Sequence, residues 1–258
     1  SGQGFSQTTS VVDHAAGIEA AGDLSLLAGR DIINQGANLK AGAAMDLNAG
    51  RNALLVSAEE NSGVMRQDKR HFWNNNRTTQ HASDIQAGTQ LNVSAEQDIA
   101  IVASRLKAGG DMNLQVGGDL LISSAANTQS SEYRYRRSGK KVNQENIRVR
   151  QQASVLEAGG NIALSADNNL NIIASKIKAA NDVGLKAGQD VHILSAVDEN
   201  ASFYSKKSKG SFGRSKSKQQ ESYDSTNVAS VIDAGNNLSI NTRITDAGRL
   251  SLEGGRNV

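Results

Sequence analysis

The 258-residue chain has no cysteine and no proline. Without cysteine there are no disulfides, no thiolate nucleophile and no thiolate metal site, while the compartment stays open, because cysteine-free chains occur inside and outside cells. Without proline, the residue that breaks a hydrogen-bonded ladder is missing, and long sheets meet no such obstacle. Aromatic residues are few: four Phe, four Tyr and one Trp. An interior must therefore be built from Ala, Val, Ile and Leu, which makes it thin. No apolar run reaches the roughly eighteen residues of a membrane span, so no transmembrane helix is expected. The N-terminal SGQGFSQTTS lacks the basic-then-apolar order of a signal peptide. The four histidines, His14, His71, His81 and His192, form no HExxH and no i,i+4 pair. His71 and His81 share one segment and would meet only through hairpin pairing, without a nearby carboxylate cluster. Serine is abundant without GxSxG, and the Gly-rich AGGD and VGGD have no phosphate-loop context. No acidic cluster resembles that of polysaccharide-cleaving β-helices. The expectation is a protein with no catalytic residue, no cofactor and no metal.

What the chain does have is a repeat. LKAGGDMNLQVGGDLLISSA at 106–125 restates LKAGAAMDLNAGRNALLVSA at 39–58, and seven copies start at Ile18, Leu39, Ile85, Leu106, Leu156, Ile177 and Ile232. Apolar residues alternate with polar ones over short stretches, which is the period of a strand rather than a helix. In the fifth copy the inward set is Leu156, Ala158, Ile162, Leu164, Ala166, Leu170, Ile172 and Ala174. Thirteen residues into each of the first six copies stands Asp31, Asn52, Asp98, Asp119, Asn169 or Asp190. These residue types tolerate turn conformations and bond nearby amides, so the same corner returns at the same place. A chain that turns at fixed points about every twenty residues stacks its coils, each strand pairing in parallel with its equivalent. The expected fold is an all-β parallel β-solenoid of about seven coils, on the order of 34 Å long at the usual strand spacing. A sandwich of antiparallel hairpins would share the alternation but would not need the twenty-residue self-match.

Three passages, 59–84, 126–155 and 197–231, interrupt the copies, and each follows a Ser-Ala pair: Ser57-Ala58, Ser124-Ala125 and Ser195-Ala196. They should leave one corner of the rod, two coils apart. Eight of the nine aromatic residues lie in them, with 17 of the 28 Lys and Arg but only 10 of the 26 Asp and Glu, so a net +7 sits on the insertions and −5 on the rest. In YRYRRSGKK, alternation puts Tyr133 and Tyr135 on one face of a strand and Arg134 and Arg136 on the other, with a hairpin turn between Ser138 and Gln144. FYSKKSKGSFGRSKSKQQESY, nearly symmetric about Gly210 and Gly213, reads as a second long hairpin. A lone two-stranded ribbon is marginal in water. Either neighbouring arms pair laterally or each waits for a partner. Aromatic residues gathered beside cations mark the arms as the contact surface, and the candidate residues are Phe72, Trp73, Tyr133, Arg134, Tyr135, Arg136, Arg137, Phe203, Tyr204, Lys206, Lys207, Lys209 and Phe212. An acidic rod argues against a nucleic-acid partner, despite the Arg/Tyr mixture.

The coil template followed by a Ser/Lys-rich excursion resembles the haemagglutinin repeats of filamentous haemagglutinins and of contact-dependent growth-inhibition (CdiA-type) effectors, over residues from about 10 to 258. It is most similar to the second repeat region of those effectors. The resemblance implies a right-handed parallel β-helix with three projecting hairpins, in a very large bacterial protein secreted to the cell surface through an outer-membrane two-partner transporter. It further implies a partner on the target cell's outer membrane, either lipid and lipopolysaccharide or a surface protein, and support for toxin delivery. Plain haemagglutinins use similar rods for adhesion. Residues 1–17 read as the tail of a preceding insertion or coil, because TTSVVDHAAG resembles VASVIDAG at 228–235. LSLEGGRNV breaks off inside a coil, so the segment 18–258 reads as one β-helix cut from a longer array.

Overall fold

The computed structural model describes residues 4–10, 15–210, 214–242 and 250–252. Every regular element among them is a strand. Each coil contributes three, as the fifth does with Val155–Ala158, Ile162–Ala166 and Leu170–Ile173. Equivalent strands of successive coils pair in parallel, building three seven-stranded sheets that form the faces of the rod. Register keeps like above like: Leu114, Leu164 and Leu185 stack, as do Leu106, Leu156 and Ile177. The protein is a parallel β-helix of seven coils. All eight expected inward residues of the fifth copy are buried, none more than 8% exposed. Ile244, where the seventh copy departs from the template, lies outside the described residues.

Two polar columns hold the coils in register. In the corner column the Asp31 carboxylate accepts from the Asn52 backbone N–H at 3.2 Å. The same bond then climbs from Asp98 to Asn52, Asp119 to Asp98, Asn169 to Asp119 and Asp190 to Asn169, each amide donating to the side-chain oxygen of the coil before. Asn suits the column because its own Nδ2 donates downward while its Oδ1 accepts from above. The second column is a line of buried serines, Ser83, Ser104, Ser154 and Ser175, which the alternation pattern does not reveal. In copies without an arm the hydroxyl caps a carbonyl two residues back, as Ser104 Oγ does to Val102 O at 2.9 Å. After an arm it reaches across the break instead: Ser83 Oγ donates to Val56 O and Ser154 Oγ to Ser123 O, both at 2.7 Å.

The corner next to this column either closes or opens. In the coils that close, a small residue takes a left-handed conformation: Gly36 at φ +58°, Ala103 at 47° and Ala174 at 45°. A Cβ on Gly36 would lie 2.4 Å from that of Ala58, so no side chain fits there. In alternate coils Ser57, Ser124 or Ser195 stands at this corner and the chain leaves the rod. The outgoing and returning strands are Ala58–Gln67 and His71–His81, Ala125–Arg137 and Lys140–Gln152, and Ala196–Lys209 and Ser215–Val228. Coil strands resume at Asp84, Val155 and Val231, the last residues of the expected insertions.

Candidate functional site

The three arms are not separate ribbons. With strand Gly4–Ser10 they pair edge to edge in one seven-stranded antiparallel sheet. Of the two alternatives open in the sequence, lateral pairing is what the chain adopts. The reason lies at the base, where each arm is latched to the next. Ser57 Oγ donates to Gln80 Oε1 at 2.7 Å across the first arm, and Ser124 Oγ does the same to Gln151 at 2.9 Å in the second. The Gln80 backbone N–H then donates to Asn127 of the second arm, and that of Gln151 to Asp198 of the third, both at 2.6 Å. The tips are joined too, Lys209 N–H donating to Gly139 O at 2.7 Å. No residue of these arm strands is buried. The sheet is a single layer open to water on both faces.

Register assigns the faces, because directly opposed residues in paired strands point the same way. One row runs Phe5, Arg66, Trp73, Tyr133, Gln144, Tyr204. The next row toward the tips on that face holds His71, Tyr135, Val142 and Lys206. Here the rings cluster: His71 stacks on Trp73 at 5.1 Å, and the tilted pairs His71–Tyr135 and Trp73–Tyr133 lie at 5.0 and 5.7 Å. The opposite face carries Phe72 under the Arg134 guanidinium at 4.3 Å, with Arg136, Lys141 and Lys207 one row further out. Phe203 and Lys209 share that face by alternation, and Arg137 shares the face of Tyr135.

Four features depart from the sequence reading or lie outside it. Phe72 and Trp73, adjacent in the chain, face opposite ways and do not form one patch. His71 and His81 do not meet: they end the same strand, His71 Nδ1 sitting 3.0 Å from Asp68 and His81 Nε2 2.7 Å from Glu60. The Asp68 carboxyl, which caps the first arm's turn, is held below its ordinary range by the Arg70 and His71 backbone N–H groups. Phe212 lies outside the described residues.

Charge along the arms is divided sharply. Residues 66–73, 133–144, 204–210 and 214–220, the outer half of the sheet, contain 14 Lys and Arg and one acid, Asp68. The inner half has the other three insertion cations and eight carboxylates, and a row of Glu132, Glu145 and Glu221 marks the border. Arg66, Lys69, Arg70, Lys140, Lys141, Lys216 and Lys218 thus belong to the tip as fully as the candidates named from sequence. Only register shows that they line up.

The family described as Hemagglutinin repeat matches residues 1–69, 64–143 and 135–213. The matches overlap around the turns of the first and second arms, and the second of them spans a returning strand, two coils and the next outgoing strand. The chain belongs to the Hemagglutinin repeat family. Hemagglutinin repeats are structural repeats, and their unit here is half an arm, two coils and half an arm. Among its relatives, a tRNA nuclease CdiA of Escherichia coli (strain STEC_O31) is 26% identical over 205 residues, 75% of this chain and 6% of that protein. A tRNA nuclease CdiA-2 of Burkholderia pseudomallei (strain 1026b) is 26% identical over 254 residues, 87% of this chain and 8% of that protein. A hemolysin of Serratia marcescens is 24% identical over 194 residues, 67% of this chain and 12% of that protein. The chain therefore spans only a small part of the length of the curated relatives it matches. No solved structure matches the chain.

Proposed function

We propose that this segment is a non-enzymatic, extracellular repeat module of a secreted bacterial effector or adhesin, in which the rod supplies reach and the tips of the arm sheet meet the anionic envelope of a target cell. In an effector of the CdiA kind that contact would support toxin delivery, with export through an outer-membrane two-partner transporter. The nuclease activities named for relatives belong, on this reading, to the parts of those proteins that this chain does not cover. The observation that carries the proposal is the charge division of the arms. An exposed sheet edge with 14 cations and one carboxylate suits a surface of phosphates, near which each Lys or Arg contributes about 1 kcal/mol. Trp and Tyr side chains beside it match the chemistry of the headgroup layer.

Flotation with vesicles containing anionic lipid or lipopolysaccharide tests it. Wild type should float with anionic vesicles and not with neutral ones, and a variant with Arg136, Arg137, Lys140 and Lys141 changed to Ser should remain in the dense fraction. Equal flotation of the two proteins would remove the arms from this role.

A further inference from the structure

The second and third arms together create a feature that neither has alone. Arg136 is paired directly with Lys141 across the second hairpin, and Lys141 with Lys207 across the boundary between arms. Three cations therefore project from one face in a line, one strand apart, at roughly 4.8 Å spacing. All three are exposed, and no carboxylate among the described residues forms an ion pair with any of them. Like charges directly opposite one another weaken a sheet. Here the register places three in succession, and the tip-to-tip bond from Lys209 to Gly139 holds the arrangement closed. One row inward, Asn143 and Ser205 are paired on the same face and line the same groove. Arg134, also in that row, is engaged by Glu132 at 2.6 Å and by the Phe72 ring, which leaves Arg136, Lys141 and Lys207 as the cations of this groove without an ion pair among the described residues.

We propose that Arg136, Lys141 and Lys207 form a phosphate-monoester site shared between two arms, which takes the headgroups of a lipid surface bearing such groups. The proposal rests on the reading above that the tips meet an anionic envelope, and names the chemistry they select. A phosphate monoester carries close to two charges and three terminal acceptor oxygens, so one group can satisfy two neighbouring cations and still accept from the Asn143 amide or the Ser205 hydroxyl. A phosphodiester or a carboxylate has one charge to share. The open line of cations, without walls to enclose a small ion, fits headgroups presented side by side on a surface.

The test uses the intact chain and phosphatidylcholine vesicles carrying either phosphatidic acid or, at matched surface charge, phosphatidylglycerol. Wild type should prefer the monoester vesicles by about tenfold, the effect of one added hydrogen bond between charged groups. Lys141→Ser and Lys207→Ser should each abolish the preference, the second although it alters a different arm. Lys218→Ser removes the same charge from the opposite face of the third arm, and should weaken binding to both vesicles alike while keeping the preference. Circular dichroism and melting curves matching wild type establish that the variants fold. A preference that survives in both row variants, or is lost equally in Lys218→Ser, overturns the site. Pyrophosphate that displaces the protein from monoester vesicles at its own tight affinity assigns the row to a free ion and overturns the lipid source. No binding to any anionic vesicle overturns the underlying reading of the arms, and is thereby told apart from failure of the row.

Discussion

Asp31 shows how much one side chain does at a corner of the rod. Its carboxylate takes the Arg51 guanidinium in a two-pronged contact, with Nε at 2.9 Å, and also accepts from the Asn52 amide. The Arg51 hydrogen bond foremost, assisted by Asn52 and opposed by partial desolvation, holds the carboxyl at about 2 against an ordinary 3.8. A depressed acid stabilises the fold fully above its unfolded pKa and loses that contribution as pH falls through the folded value. The melting temperature of wild type should therefore drop more between pH 3.8 and about 2 than that of Asp31→Asn; parallel curves would show that the pair contributes nothing. Leu164 and Ser165 make a sharper contrast. Leu164 is 1% exposed between Leu114 and Leu185, whereas Ser165 faces outward between Gln115 and Lys186. Leu164→Asp buries an unpartnered carboxylate at a cost of several kcal/mol. Ser165→Asp, beside a lysine, should stay within about 0.5 kcal/mol of wild type. Thermal melts that reverse this order would place every strand one residue out of register.

The junction between rod and arm depends on the buried serines. An inserted arm separates the two ends of a coil, whose carbonyls there keep one donor from the neighbouring coil, Gly36 N–H to Val56 O and Ala103 N–H to Ser123 O, both at 2.9 Å. Ser154 Oγ adds a second, donating to Ser123 O at 2.7 Å, with Ile101 O at 3.2 Å. Ser154→Ala removes these bonds and takes away the acceptor of the buried Ser104 N–H at 3.3 Å, which costs about 1–3 kcal/mol. Hydrogen exchange should locate the damage, with faster exchange at Ser124 and Gln152 at the base of the second arm and little change in the strand Met45–Ala49 in the second coil. Uniformly faster exchange across the rod would mean that the serine holds the coil rather than the junction. At the other end of the arms, the ring cluster of His71, Trp73, Tyr133 and Tyr135 joins the first arm to the second. Aromatic pairs of this kind contribute roughly 0.5–1.5 kcal/mol each. An open sheet with no buried residue needs such contacts, because it has no core.

The molecule as a whole sorts its side chains between rod and arms. Aliphatic side chains and polar columns are spent on the rod, and aromatic and basic ones on the arms. Because the tip cations are solvent-exposed, their attraction to a charged surface is screened over about 8 Å at physiological ionic strength. The vesicle binding proposed above should therefore weaken steeply as salt rises, while the melting temperature of the rod changes little. Binding that ignores salt would shift the explanation from charge to the apolar rings.

The rod is legible in the amino-acid sequence alone. A twenty-residue period, strict alternation and a recurrent Asp/Asn corner determine a stacked parallel β-helix by themselves, because each coil can bury its aliphatic face only against copies of itself. The face shared by Tyr133 and Tyr135 follows from alternation within one strand, which is local information. The column of Ser83, Ser104, Ser154 and Ser175 is hidden in the sequence, because serine reads as polar and outward until its carbonyl partners, on other coils, are in place. The opposite facing of Phe72 and Trp73 likewise follows from alternation, but the lateral pairing of the arms and the line of Arg136, Lys141 and Lys207 depend on register between strands of different arms. The rod sets that register by fixing where each arm leaves, and no single arm sequence contains it.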